Sequence, residues 1–124
     1  MSIIGKTFTY IGATGDEYRN CTFKWGRYGN GNVALIIESD AEGQIAKCTV
    51  NTGDSISYPY IVVKDWGENE GMTEFLVSQG IVNGMTKAEI ETGHVTAKVM
   101  ILTEKGQKMF EEEMGESREE ERGA

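Results

Sequence analysis

The chain predicts an α+β fold: a mainly antiparallel sheet of about five to six strands, with one central helix and one C-terminal helix. Three observations carry this. Apolar and polar side chains alternate with a period of two through much of the first 64 residues, the spacing of half-buried strands. Gly, Asn and Asp clusters punctuate those runs. Beyond Asp65 the apolar spacing changes to i, i+3, i+4, which is one face of a helix.

Lys6-Thr7-Phe8-Thr9-Tyr10 sets Phe8 and Tyr10 on one face and Thr7 and Thr9 on the other, and Gly12-Ala13-Thr14-Gly15-Asp16 ends that strand. Cys21, Phe23 and Trp25 share a face against Thr22 and Lys24. Gly29-Asn30-Gly31-Asn32 is a hairpin signal, because Gly and Asn tolerate the positive φ of tight turns. Residues 32–38 are more continuously apolar and predict a central strand covered on both sides. Asp40-Ala41-Glu42-Gly43 turns the chain, after which Ala46, Cys48 and Val50 alternate with Lys47 and Thr49. A polar loop over 51–55 leads to a strand over 58–64. Pro59 suits its start or an edge, where a missing N–H costs little.

Asp65-Trp66-Gly67-Glu68 has the spacing of a capping box, and Met72, Phe75 and Leu76 follow on one helical face. The spacing predicts a helix to Gln79, weakened by Gly71. Glu68, Glu70 and Glu74 suit its positive end. Gly80 is placed to end it in the left-handed conformation, with Ile81 folding back on Leu76. Residues 83–93 read as a loop with a helical turn at 86–90. Val95, Ala97, Val99 and Ile101 then alternate with Thr96 and Lys98, the clearest strand in the chain. Thr103 caps a last helix carrying Met109, Phe110 and Met114, with Glu104–Lys108 and Lys108–Glu112 pairs at i, i+4. Residues 1–110 read as a single domain. Residues 111–124 read as an acidic extension, helical at first and then disordered.

Composition bounds the function. A 124-residue chain with 39% hydrophobic and 26% charged residues suits one domain with its own core. Apolar runs such as Ile61-Val62-Val63 are far short of the ~20 residues a bilayer span needs. The first residues lack a signal-peptide pattern, so the expected location is the cytoplasm. Cys21 and Cys48 are expected as buried, reduced thiols. With one histidine, His94, and no CxxC or HxxxH spacing, neither a metal nor a cofactor is expected. The net charge is −8, of which residues 111–124 (seven Glu, two Arg) supply −5. That balance repels nucleic-acid backbones and anionic membranes and favours a protein partner with a basic surface.

Catalytic signatures are absent from the sequence. Gly29-Asn30-Gly31 lacks the third glycine and following helix of a dinucleotide fingerprint, and there is no P-loop lysine. There is no Gly-x-Ser-x-Gly elbow, and His94 has no identifiable nucleophile. A capped helix end accounts for Glu68 and Glu70, so a non-enzyme is expected. Ile101-Leu102-Thr103-Glu104-Lys105-Gly106 looks like the strand-to-helix step that closes the wing of winged-helix transcription regulators. The would-be recognition helix, residues 68–79, carries three Glu and no Lys or Arg, which opposes phosphate contacts. The candidate partner-binding residues are the aromatic side chains at element ends, Tyr28 and Trp66, and the acids Glu68, Glu70, Glu111, Glu112, Glu113, Glu119, Glu120 and Glu121.

Four stretches recur together: Lys6-Thr7-Phe8-Thr9-Tyr10, Tyr28-Gly29-Asn30-Gly31-Asn32-Val33-Ala34-Leu35, Thr49-Val50-Asn51, and the run from Val63 to Met72. In that order they resemble a family of short uncharacterised proteins encoded by phages, plasmids and conjugative elements of bacteria. The resemblance spans roughly residues 5–97, and Asn69-Glu70-Gly71-Met72 is its most specific segment. It implies a mobile-element accessory gene acting in the bacterial host cytoplasm, where small proteins often antagonise host defence. The expected function is therefore a non-enzymatic inhibitor of a CRISPR effector or restriction enzyme, binding a basic surface of that target. The alternative is a structural or adaptor domain that self-associates as a homo-oligomer, and a winged-helix-like regulator stands third.

Overall fold

The alternation in the first part of the chain becomes a four-stranded antiparallel meander in sequence order: β1 (Phe8–Ile11), β2 (Glu17–Arg27), β3 (Val33–Ser39) and β4 (Gly43–Lys47). The computed structural model describes residues 7–115. A second sheet has the order β5-β7-β6, from β5 (Tyr60–Val63), β6 (Val82–Thr92) and β7 (Val95–Leu102). A 3-10 turn (Gly67–Asn69) and helix α1 (Met72–Ser78) join β5 to β6, and helix α2 (Glu104–Met114) follows β7. The class is α+β and antiparallel, as the patterning predicts. The strands number seven in two sheets, however, where one sheet of five to six was expected.

The two sheets share one core. Phe23 and Trp25 of β2, Leu35 and Ile37 of β3, Ile61 and Val63 of β5, and Met100 and Leu102 of β7 line it. Met72 and Leu76 of α1 and Met109 and Phe110 of α2 close it. Each fully buried side chain of this size contributes roughly 1.5–3 kcal/mol through lost apolar surface. β3 alternates buried and half-buried positions, so the central strand is fully covered on one face only. A smaller cluster lies on the other face of the second sheet, where Val62, Ala97 and Val99 are covered by Val50, Ile56, Tyr60, Trp66 and Ile90.

Residues 48–50 stitch the sheets together. The Cys48 amide donates to the Leu35 carbonyl at 2.8 Å, and the Leu35 amide donates to the Thr49 hydroxyl at 3.1 Å. On the other side the Val50 amide donates to Val62 at 3.1 Å and the Lys64 amide to Cys48 at 2.9 Å. A side-chain hydroxyl thus completes a ladder that the backbone alone leaves open, which is how a buried amide avoids being stranded. The adjoining loop hangs from Asn32. Its side chain donates to Asn51 Oδ1 (3.1 Å) and the Asp54 carbonyl (2.7 Å) and accepts from the Ile56 amide (2.8 Å).

Two local expectations are corrected. The predicted helix to Gln79 divides, because Gly71 sits at φ +94°, outside helical space. Asp65 accordingly does not cap a helix beginning beside it. Its carboxylate reaches across the 3-10 turn and accepts from the amides of Gly71 (2.8 Å) and Thr73 (3.2 Å). Residues 83–93, read as a loop with a helical turn, form most of β6 and its connection to β7. The two-residue Gly93-His94 turn, with Gly93 at φ +68°, sets Thr92 opposite Val95. Other local signals hold. Gly80 is left-handed, and the Ile81 amide returns to Leu76 O at 2.9 Å. Thr103 Oγ1 caps α2 by accepting from Gly106 at 3.1 Å. Glu104 pairs with Lys108 at 3.6 Å. Upstream of α1 the described residues hold strands, where a winged-helix unit has two helices.

Candidate protein-binding face

The segment after β5 is built to hold one carboxylate row outward. Asn69 is 2% exposed, and its Nδ2 donates to the carbonyls of Lys47 and Lys64, pinning the 3-10 turn between β4 and β5. Met72 is buried under the sheet, and Gly71 supplies the reversal between them. Three of the four residues of Asn69-Glu70-Gly71-Met72 are thereby structural, and Glu70 is the one whose side chain is exposed to solvent.

Glu70, Glu74 and Asp65 border a shallow depression with Lys98 of β7. Burial works against the Asp65 charge. Hydrogen bonds from Thr73 and Gly71, together with the nearby Lys98 ammonium, outweigh it and hold the carboxyl below its ordinary range. Lys98 stands opposite Glu89 in the β6–β7 register, and directly opposed residues share a face of the sheet. Glu91, two positions on, shares that face and stands opposite Thr96. Asp65, Glu70, Glu74, Glu89 and Glu91 therefore form one acidic face with a single lysine in it. Val77 (39% exposed) and Met85 (62%) add apolar surface beside it, on α1 and at the start of β6. They are close: a methyl on Gly84 would meet Val77 Cγ2 at 3.4 Å.

A neighbouring cleft of about 350 Å³ lies between the β1–β2 turn, β4 and the 3-10 turn. Asp16 and Glu68 line it with Lys47 and Lys64, so its charge balances. Glu68 is bonded to Lys64 at 2.9 Å, and that hydrogen bond lowers its pKa. Tyr10 also lines the cleft, and burial raises its phenol. Both cysteines are buried free thiols, as expected, and desolvation raises each, so they stay protonated at neutral pH. Among the described residues no group of three His, Cys, Asp or Glu is arranged to hold a metal ion. No helix among them is long and apolar enough to cross a membrane.

The residues singled out from sequence divide by place. Glu68 and Glu70 reach the surface at this corner, whereas Trp66 turns the other way and half-covers the outer cluster of the second sheet. Tyr28 is a strut whose hydroxyl bonds the carbonyl and hydroxyl of Thr49 at 3.2 and 3.0 Å. Glu111 accepts from the Tyr58 hydroxyl at 2.6 Å and Glu113 from the Trp25 amide at 3.4 Å, while Glu112 is exposed on the same helix. Residues 111–114 thus continue α2 without a break. Glu119, Glu120 and Glu121 lie outside the described residues. Glu89 and Glu91 were missed, and the signal for them was the alternation of Ala88 and Ile90 against Glu89 and Glu91 before Gly93-His94. No protein family, curated protein or solved structure matches this chain.

Proposed function

We propose that this protein is a non-enzymatic, mobile-element-encoded inhibitor of a bacterial defence system, of the anti-CRISPR or antirestriction type, acting in the host cytoplasm by binding a basic surface of its target protein. The observation that carries the reading is the face made by Asp65, Glu70, Glu74, Glu89 and Glu91 around one lysine. A nuclease complex presents a basic channel to nucleic acid, and a compact acidic face competes for that channel by potential and shape. Val77 and Met85 supply apolar contact beside the charges. The resemblance of the motif order to short proteins of phages and plasmids is what supports the mobile-element context.

Self-association is the second reading, and the outer side of β6, which no strand covers among the described residues, speaks for it. Charge speaks against it: antiparallel pairing of two copies about Ile90 sets Glu89 of each against Glu91 of the other. A concentration-independent monomer in light scattering is the expected result.

The test is inhibition in trans. Cells expressing the gene are challenged with phage or plasmid against a panel of defence systems. Binding to a susceptible effector is then measured as salt is raised. Binding weakens steeply with ionic strength, since the Debye length falls to about 8 Å at physiological salt. The double variant Glu70→Lys, Glu74→Lys loses inhibition while keeping its stability, both sites being exposed. Full inhibition by that variant, or silence across the panel, sinks the proposal.

A further inference from the structure

The second sheet ends on β6, and among the described residues no strand pairs with its outer side. The first half of that edge is broken by register shifts between Val82 and Thr86 and between Thr86 and Ala88. Bulges of this kind spoil an edge as a template for another strand. From Ala88 to Thr92 the pairing with β7 is unbroken. The two-residue turn makes Thr92 and Val95 the closing hydrogen-bonded pair. By alternation Ala88 and Ile90 turn their backbone groups to β7, while Glu89 and Glu91 turn theirs outward. The regular free edge is therefore short and presents the amides and carbonyls of two glutamates.

Its side chains are sorted by face. Glu89 and Glu91 project with Lys98 toward the acidic depression of Asp65, Glu70 and Glu74. Ala88 and Ile90 project to the other face, where Ile90 is half-buried on the cluster of Val62, Ala97 and Val99.

We propose that this edge receives an extended segment of the partner, with Lys or Arg at every second position and apolar residues between, which adds to the sheet as a fourth strand. The inference rests on the basic-partner reading and specifies how that partner is held. Incoming residues directly opposite Glu89 and Glu91 share their face at contact distance, and the depression beside them deepens the preference for cations. The intervening residues meet Ala88 and Ile90 and lengthen the outer apolar cluster. Backbone bonds supply affinity and the two faces supply selectivity, as in strand addition generally. The same two carboxylates keep a second copy off the edge, a recognised protection of exposed strands.

The probe is a short peptide alternating lysine and valine, titrated into the full chain at low ionic strength and followed by backbone amide shifts and hydrogen exchange. Binding slows exchange at the amides of Glu89 and Glu91. The lysines opposite those glutamates turn their own amides to the edge. N-methylation at the lysine amides therefore weakens binding roughly ten- to thirty-fold, whereas N-methylation at the valine amides leaves it nearly unchanged. Glu91→Pro, which removes one outward N–H and spares the bonds to β7, weakens the unmethylated peptide similarly, while Glu91→Gln weakens it less. If both methylated peptides bind as well as the parent, the strand-addition proposal is overturned and the acidic-face reading survives. If none of the lysine peptides binds at low salt, both are overturned.

Discussion

Replacing Gly106 by alanine sets two known effects against each other. Gly106 lies buried in the first turn of α2. Helix propensity alone favours alanine there by about 1 kcal/mol. The added methyl, however, stands 2.8 Å from the Ile81 carbonyl oxygen and 3.2 Å from Leu102 Cδ2. That carbonyl accepts the Thr103 amide at 2.9 Å, and the Ile81 amide is itself held by Leu76 at 2.9 Å, so the oxygen retreats only by loosening backbone bonds at both helix ends. Overpacking of this kind costs about 1–3 kcal/mol, and against backbone the upper part of that range applies. The clash wins, and Gly106→Ala is expected to lose about 1–2 kcal/mol. For a chain of this length that lowers Tm by roughly 5 °C. Thermal and urea unfolding followed by circular dichroism measure it. A variant as stable as the parent, or more so, would show that α2 slides away from Ile81 freely and would refute the close approach.

Asn32→Ala strands the Ile56 amide and the Asp54 carbonyl, and is expected to cost about 2–3 kcal/mol, read as a lower urea midpoint at unchanged slope; a loss under ~1 kcal/mol refutes the role given to Asn32. Thr49→Val keeps the volume but leaves the buried Leu35 amide without its acceptor, while the Tyr28 hydroxyl keeps only the residue-49 carbonyl, for a loss of about 2 kcal/mol in the same assay; a near-neutral result refutes the stitching role of that hydroxyl. Asp65 has a folded pKa below its ordinary 3.8, so the stability it adds is complete above that value and disappears as pH falls below it through the folded value. Asp65→Asn should therefore flatten the acid limb of the stability profile, and an unchanged limb would show that the carboxylate does not cap α1.

What the sequence made legible was local. The alternation of Cys21, Phe23 and Trp25, the left-handed Gly80 and the Thr103 cap each depend on neighbours a few positions away, and each signal is realised. β6 was hidden because Lys87, Ala88 and Glu89 favour helix intrinsically, and an edge strand exposed on most of its length shows little hydrophobic alternation. The division into two sheets was hidden because residues 48–50 pass from pairing with β3 to pairing with β5, a change of partner no periodicity announces. For the candidate face the same rule holds. Glu68 and Glu70 stood out beside a capping signal, whereas Glu89 and Glu91 were lost with the strand that carries them. Tyr28, Glu111 and Glu113 looked available only because their partners lie 21, 53 and 88 positions away in the chain.

The placement of Phe110 has a consequence for biosynthesis. Its ring packs edge-on against Trp25 at 6.0 Å and stacks on Tyr58 at 5.0 Å, so the last helix covers the hydrophobic side of strands made some eighty residues earlier. The meander can pair as soon as Lys47 has left the ribosome, since its contacts are sequential. The part of its inner side around Trp25 stays wet until α2 arrives, and nascent chains halted before residue 110 present that surface to chaperones and to one another.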